Sequence, residues 1–420
     1  MDNKLIMAID IGAESIKVFL GSRQTDTTVS LKSSSFMPSS GYERGEITDV
    51  AALAASIKQA VDCVLTPDDH LTGAIIYAGI GSTAMIGQNS LGSIARTSVD
   101  RITTEDVDRA CRAAVFAAVL DDYEAMHVSP LTDVTAEKGV FLQSLSDSWD
   151  SQGLRVRTHI ASLPKRVIEL ITQSLAAQGI HIKGVAINSI VTVRDALPHL
   201  EKDAANCVYL DLGAGTTDLV LLADGRIHHS ASLPLGGNYI TNDIKQCFDV
   251  SFAHAEAIKR YYAKLDNSIY GTKVTLDCND FGTGDKTLPY DFLHDVVESR
   301  VDEIVQLIYE YLKPHLDEHI YNTGRRLDKV ILAGGATLLP SIVEKITLTF
   351  GVKAESVNFP ELTKEYNTPL NAACYGIFCH AANEATKLDA TTAQTQILKQ
   401  IQEANTSSDS WGFFKKIFKF

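Results

Sequence analysis

Two stretches about half the chain apart carry the same residue types in the same order: Asp10-Ile-Gly12-Ala13-Glu-Ser15-Ile-Lys17 and Asp211-Leu-Gly213-Ala214-Gly215-Thr216-Thr217-Asp218. Glycine tolerates positive φ and lets backbone N–H groups approach an anion with no Cβ in the way, so both turns could cradle phosphate oxygens. Asp10 and Asp211 each end a strand, where a carboxylate can hold the water shell of a magnesium ion, which keeps several waters and takes one or two carboxylates. Lys17 would add a point charge, and Ser15, Thr216 and Thr217 hydroxyl donors. A third stretch, Lys329-Val-Ile-Leu332-Ala-Gly334-Gly335-Ala336, ends a buried-type strand in a double glycine that lets backbone pass close to a flat ligand. One Asp-x-Gly after a strand is commonly only a turn. Two copies of strand, Asp-x-Gly and strand argue for a phosphate clamp.

The elements around these residues narrow the fold. A P-loop or dinucleotide fingerprint turns from its strand into a helix that holds the phosphate. Here each turn passes from one apolar run to another, 5–9 into 16–20 and 208–212 into 219–222, which reads as two facing β-hairpins. Strands and helices alternate elsewhere, the pattern of α/β layers. Thr48 is the expected N-cap of a helix with Val50, Leu53, Ile57, Val61 and Val64 on its apolar face, and residues 83–161 read as an insert in which Thr103 and Asp106 cap a helix. Gly236 and Gly237 open a helical region expected to reach about residue 265, short strands and turns follow, and a helix over 290–321 is expected to be interrupted at Pro314. Pro340 is expected in the first turn of the helix after the third glycine stretch.

The three glycine-bearing segments resemble the phosphate-1, phosphate-2 and adenosine motifs of the actin, Hsp70 and sugar-kinase superfamily. That resemblance implies ATP, with Mg2+, held between two related α/β domains, with Gly236 and Gly237 among the nucleotide contacts.

Composition is ordinary for a globular protein: 420 residues, 45% hydrophobic and 21% charged, enough for at least two cores. A formal charge of −14 argues against nucleic acid as the main partner. The seven cysteines are scattered, with no Cys-x-x-Cys pair, and read as reduced core residues of a cytosolic protein. No stretch is long enough to span a bilayer, and no signal peptide is recognised. His315 and His319 stand one helical turn apart, the spacing of a zinc pair, with no third ligand evident from the sequence.

The last residues form a second signal. After a polar tract over 383–410, read as a tether, come Trp411, Phe413, Phe414, Ile417, Phe418 and Phe420 on one half of a helical wheel. Lys415, Lys416 and Lys419 fall on the other half. This suits a short helix lying in the headgroup region of an anionic membrane, binding reversibly unless many copies act together.

With this tail and the insert, the whole chain resembles the FtsA family of bacterial cell-division proteins; 38–49 also looks like that family's region after the first hairpins. The resemblance implies an actin-like two-lobed ATPase fold: domain 1A over 1–82, 162–198 and 366–384; an inserted α+β domain 1C over 83–161; domain 2A over 199–240 and 300–365; domain 2B over 241–299; a linker over 385–409; and the amphipathic helix 410–420. It implies filaments of this chain on the cytoplasmic face of the inner membrane at the division site, binding of the FtsZ C-terminal peptide near Arg300, and recruitment of later division proteins. Glu256 and Lys259 match family positions around ribose and purine. Hydrolysing relatives place a Glu or Gln near the γ-phosphate, where this chain reads Ala186-Ile-Asn188-Ser189. ATP binding with weak or undetectable turnover is therefore expected. The insert departs from the family between Val128 and Gly153. The alternatives are a phosphotransferase of the sugar-kinase branch and a chaperone-like or pilus-assembly relative with the same clamp.

Overall fold

The computed structural model describes residues 4–23, 29–95, 102–131, 136–137, 140–141, 149–150, 153–198, 205–263, 269–272, 274–277 and 287–386. The amphipathic segment 410–420, most of the tether and Cys278 lie outside the described residues.

Two five-stranded mixed sheets share one topology. In the first, Leu5–Ile11, Ser15–Arg23 and Val29–Pro38 form an antiparallel meander, and Ile75–Ile80 and Gly184–Ile187 extend it in parallel beyond Leu5–Ile11. In the second, Cys207–Leu212, Thr217–Ala223 and Arg226–Leu233 form the meander, with Lys329–Ala333 and Ala354–Ser356 in parallel beyond Cys207–Leu212. Helices cover both sheets, so the central strands read as continuous apolar runs. Every residue of Cys207–Leu212 and of Thr217–Ala223 is buried.

Each sheet has its own core. Around the first pack the helix Val50–Val64, through Leu53, Ile57 and Val61, and the helix over 372–386, through Cys374, Ile377 and Phe378. Around the second pack Gly237–Phe248, Phe252–Tyr262 and the long helix Tyr290–His319. A third, small cluster of Val107, Ala110, Leu154 and Val156 belongs to the insert, where Ile86–Ala95, Tyr123–Pro130, Trp149–Asp150 and Gly153–Pro164 make a four-stranded sheet under Thr104–Ala118. Gly92 permits that packing, since a Cβ there would sit 1.8 Å from the Ala110 carbonyl oxygen. Thr103 and Asp106 form the expected capping box.

Several local expectations are corrected. The first helix is capped by Asp49, not Thr48: its carboxylate accepts from the N–H groups of Ala51 and Ala52, and Val50 is exposed. The helical region after Gly236 is two helices, broken where Asp249 takes a left-handed conformation and Ser251 caps the second. Pro314 does not interrupt the long helix. It lies on the exposed side, where the carbonyl four residues earlier can turn to water. Pro340 precedes the N-cap Ser341, because a 3-10 turn, Gly335–Leu338, takes up the chain first. Among the described cysteines, Cys63 and Cys247 are exposed, so the expectation of core cysteines holds only in part.

Candidate functional site

The duplicated sheets bring their two glycine turns face to face. Asp10 and Asp211 occupy equivalent strands, each one residue before the strand end, and each turn is closed by one backbone bond: Gly12 N–H to the Ser15 carbonyl at 3.2 Å and Gly213 N–H to the Thr216 carbonyl at 2.9 Å. The hairpin tips touch. A Cβ on Gly215 would meet the Ala13 Cβ at 2.9 Å and the Arg44 nitrogen at 3.0 Å. Both tips enclose a cavity of about 580 Å³.

The first tip lines that cavity with Asp10, Gly12, Ala13, Ser15 and Lys17, and the second with Asp211, Gly213, Ala214, Gly215 and Thr216. The third stretch supplies Gly334, Gly335 and Ala336, and Gly237, Glu256 and Lys259 close the side. Two expected residues are not in the lining. The Thr217 hydroxyl donates to the Leu235 carbonyl at 2.8 Å, and Gly236 packs on the Ala214 carbonyl, where a Cβ would stand 2.5 Å from the oxygen. Arg300 lies away from the cavity. Its guanidinium donates to Asp243 at 2.9 Å and stands 5.9 Å from the centre of the Tyr239 ring.

Gly334 shows why the third stretch needs glycine. Its φ is +87°, and a Cβ there would stand 2.4 Å from both the Asp211 carboxylate and the Leu212 carbonyl. The third strand can thus lie against the second tip and hold Asp211 in place.

Charge is concentrated at the cavity floor. Asp10 accepts from Lys17 Nζ at 2.9 Å and from the Asn188 amide at 2.9 Å. Asp211, by contrast, is buried beside two other carboxylates. Burial, with Asp218 and Asp10 nearby, pushes its pKa up to about 8. Burial likewise pushes Asp218 up to about 6, although the nearby Ser232 hydroxyl opposes this. For Lys17 burial would favour the neutral amine, yet the neighbouring Asp10 outweighs it and the ammonium is held above its usual range. Three carboxylates facing one ammonium in a buried space leave anionic charge unbalanced. That is the donor set a hard divalent cation compensates.

At the side, Lys259 donates to the Gly237 carbonyl at 3.1 Å and to the Thr241 hydroxyl at 2.8 Å, and pairs with Glu256 at 2.7 Å. Burial raises the Glu256 pKa, but Lys259 and its hydrogen bonds win and hold it low. This is more than a helix-face ion pair, because Lys259 ties two helices to the cavity rim.

Two participants, Asp218 and Glu14, have no role assigned to them by the sequence motifs. Asp218 lies directly opposite Asp211 in the hairpin register and packs on Gly81, where a Cβ would sit 2.1 Å from its carboxylate. Its signal was present, since it closes the second motif and antiparallel pairing across the glycine turn sets it beside Asp211. Glu14, on the first tip, pairs with Arg260 of the opposite lobe at 2.9 Å, a contact with no local sequence signal. Asn188 stands in the segment where hydrolysing relatives are expected to place a Glu or Gln. Its amide is committed to Asp10, and its buried carbonyl oxygen faces Gly79, with no hydrogen-bond partner among the described residues.

Comparison with known proteins adds to this geometry. Residues 208–376 match the family model described as Cell division protein FtsA. Relatives of that name align over nearly the whole chain. The protein of Buchnera aphidicola subsp. Schizaphis graminum is 24% identical over 384 residues, covering 90% of each chain. That of Escherichia coli strain K12 is 22% identical over 400 residues, covering 91% of this chain and 93% of its own. Among solved structures, the PilM-PilN type IV pilus biogenesis complex superposes with a TM-score of 0.64 at 18% identity, over 90% of this chain and 98% of that one. The last likeness is one of fold.

Proposed function

We propose that this chain, an FtsA-family cell-division protein with an actin-like fold, binds ATP with Mg2+ between its two lobes and uses the bound state to set its assembly on a membrane. The observation that carries the nucleotide reading is the contact of two duplicated Asp-x-Gly tips and the Gly334 strand around one cavity whose floor holds Asp10, Asp211, Asp218 and Lys17. ATP supplies a triphosphate whose oxygens suit the N–H groups of the two tips and Lys17, and a purine that suits the Gly334–Ala336 backbone. Asp10 and Asp211, with Asp218, would hold the water shell of Mg2+. Glu256 and Lys259 fit the ribose and purine side. Turnover is weak in this reading, since Asn188 is engaged with Asp10 and does not offer a group that orients water.

The division into domains 1A, 1C, 2A and 2B follows the family resemblance, as do self-assembly into filaments, recruitment of later division proteins and placement on the cytoplasmic face of the inner membrane. Binding of the FtsZ C-terminal peptide near Arg300 likewise follows the family resemblance in this reading. Membrane attachment falls to Trp411, Phe413, Phe414, Ile417, Phe418 and Phe420, with Lys415, Lys416 and Lys419 toward anionic lipid. Among the described residues no helix is long and apolar enough to cross a membrane.

Sedimentation with anionic liposomes, using the full chain and a chain ending at residue 404, tests the reading. The full chain is expected to pellet with lipid and the truncated one to stay in the supernatant. Equal pelleting of both would remove the tail from the account.

A further inference from the structure

Away from the nucleotide cavity, the far end of the long helix carries a cluster of imidazoles that the proposed function does not use. His315, Glu318 and His319 each offer a ligand atom, and these atoms all lie within 4.8 Å of one another. The i, i+4 spacing places the two imidazoles on one helix face, and the i+3 carboxylate stands beside them. The third donor that the sequence did not reveal is thus Glu318, whose carboxylate lies 3.9 Å from His319 Nε2.

The edge strand Arg226–Leu233 supports this face from the other side. His229 stacks flat on His315, with ring centroids 3.6 Å apart and planes 14° from parallel, while its Nε2 faces the Tyr311 hydroxyl at 3.1 Å. A stacked ring cannot aim its lone pair at the same ion, so His229 fixes the plane of His315 instead. His228 lies 5.1 Å from His319, ring to ring, and is the nearest further imidazole. Among the described residues no hydrogen bond occupies the ring nitrogens of His315.

We propose that His315, Glu318 and His319 form a site for a borderline divalent transition cation of the zinc class, with His228 or water completing a four-coordinate shell. Two imidazole nitrogens and one carboxylate oxygen suit Zn2+ and disfavour Mg2+ or Ca2+, which take oxygen ligands. With His228 as the fourth ligand the site would be structural in its effect, because it would join the helix to a strand that also meets the insert. Asn89 of the insert donates to the His228 carbonyl at 3.0 Å, and His159 of the insert faces the Ser230 hydroxyl at 2.9 Å.

The test is titration of Zn2+ and, as a spectroscopic probe, Co2+ into metal-free full-length protein carrying no affinity tag. One ion is expected to bind per chain, with Co2+ giving the visible absorption of a tetrahedral nitrogen and oxygen site. His315→Ala and His319→Gln are each expected to weaken binding at least about tenfold, and Glu318→Gln less, while His70→Ala leaves it unchanged. His319→Gln keeps the size and polarity of the side chain, so a fold intact by circular dichroism separates lost ligation from lost structure. Binding absent at ~100 µM metal, on the ordinary affinity scale, or unaltered by both histidine variants would overturn the proposal.

Discussion

Arg260 reaches from the second lobe across the cavity mouth to Glu14 on the first glycine tip, Nη2 to Oε1 2.9 Å, while its Nε holds Glu256 at 2.9 Å. One guanidinium therefore connects the first glycine turn to the Glu256 and Lys259 pair on the opposite rim. Its side chain is 55% exposed, so the latch works in high dielectric and contributes at most about 1 kcal/mol. A double-mutant cycle with Glu14→Ala and Arg260→Ala should give a coupling in ATP affinity no larger than about fivefold, and smaller still at high salt. Coupling of a hundredfold would mean that the pair is shielded from water when nucleotide is bound.

Asp211 makes the cavity floor sensitive to pH. Its folded pKa, about 8, lies above the usual carboxylate value of 3.8. The favourable contribution of a raised group is complete below the unfolded pKa and is lost as pH rises toward the folded one. Without nucleotide, this residue should therefore lower stability progressively between about pH 4 and pH 8, and Asp218 should add to the loss up to about pH 6. Thermal melts should show Asp211→Asn gaining on the wild type as pH is raised from 6 to 8 without Mg2+. Mg2+ with ATP should reverse that order, since the cation needs the ionised carboxylate. A constant difference between the two proteins across this range would count against three coupled carboxylates.

Gly334→Ala probes the join between the third strand and the second tip. The new Cβ would clash with the Asp211 carboxylate and the Leu212 carbonyl at a positive φ, so relief requires moving the tip. A loss of more than about 1 kcal/mol in stability is expected, with weaker ATP binding. Gly351→Ala is the control for strain alone, because that residue has a φ of +69° and open space around the Cβ position. It should lose stability while ATP affinity stays unchanged.

Thr103→Ala should cost about 1 kcal/mol by removing the capping box of the insert helix. Because the insert has its own small core, limited proteolysis should detect local opening there before the two larger lobes are affected. Simultaneous loss of ATP affinity would show that the insert governs the cavity.

Much of the clamp was legible because glycine turns leave a chemical signature: only a few residue types permit a close backbone approach, and Asp10, Gly12, Asp211, Gly213 and Gly334 are all local in sequence to the turns they form. The two lobes were legible for the same reason, as duplicated apolar strands around duplicated motifs. Contacts between distant segments were harder to read. Glu14 to Arg260 and Asn188 to Asp10 join residues far apart in the chain, and no periodicity records such a pairing. Local breakers were over-read. Pro314 stays helical because its exposed side tolerates one lost hydrogen bond, and Pro340 is displaced by the 3-10 turn that the double glycine allows. Likewise the zinc-like spacing of His315 and His319 was visible, but the ring stacked on His315 comes from another strand.

The proposed function makes this cavity a magnesium-dependent ATP clamp. Its most direct test is calorimetric titration of ATP into the full-length protein, wild type and Asp211→Asn, each with Mg2+ and with chelator. The wild type should bind one ATP per chain and bind it more tightly with Mg2+, an advantage that Asp211→Asn should lose. No ATP binding by the wild type, or an equal magnesium dependence in the variant, would contradict the account.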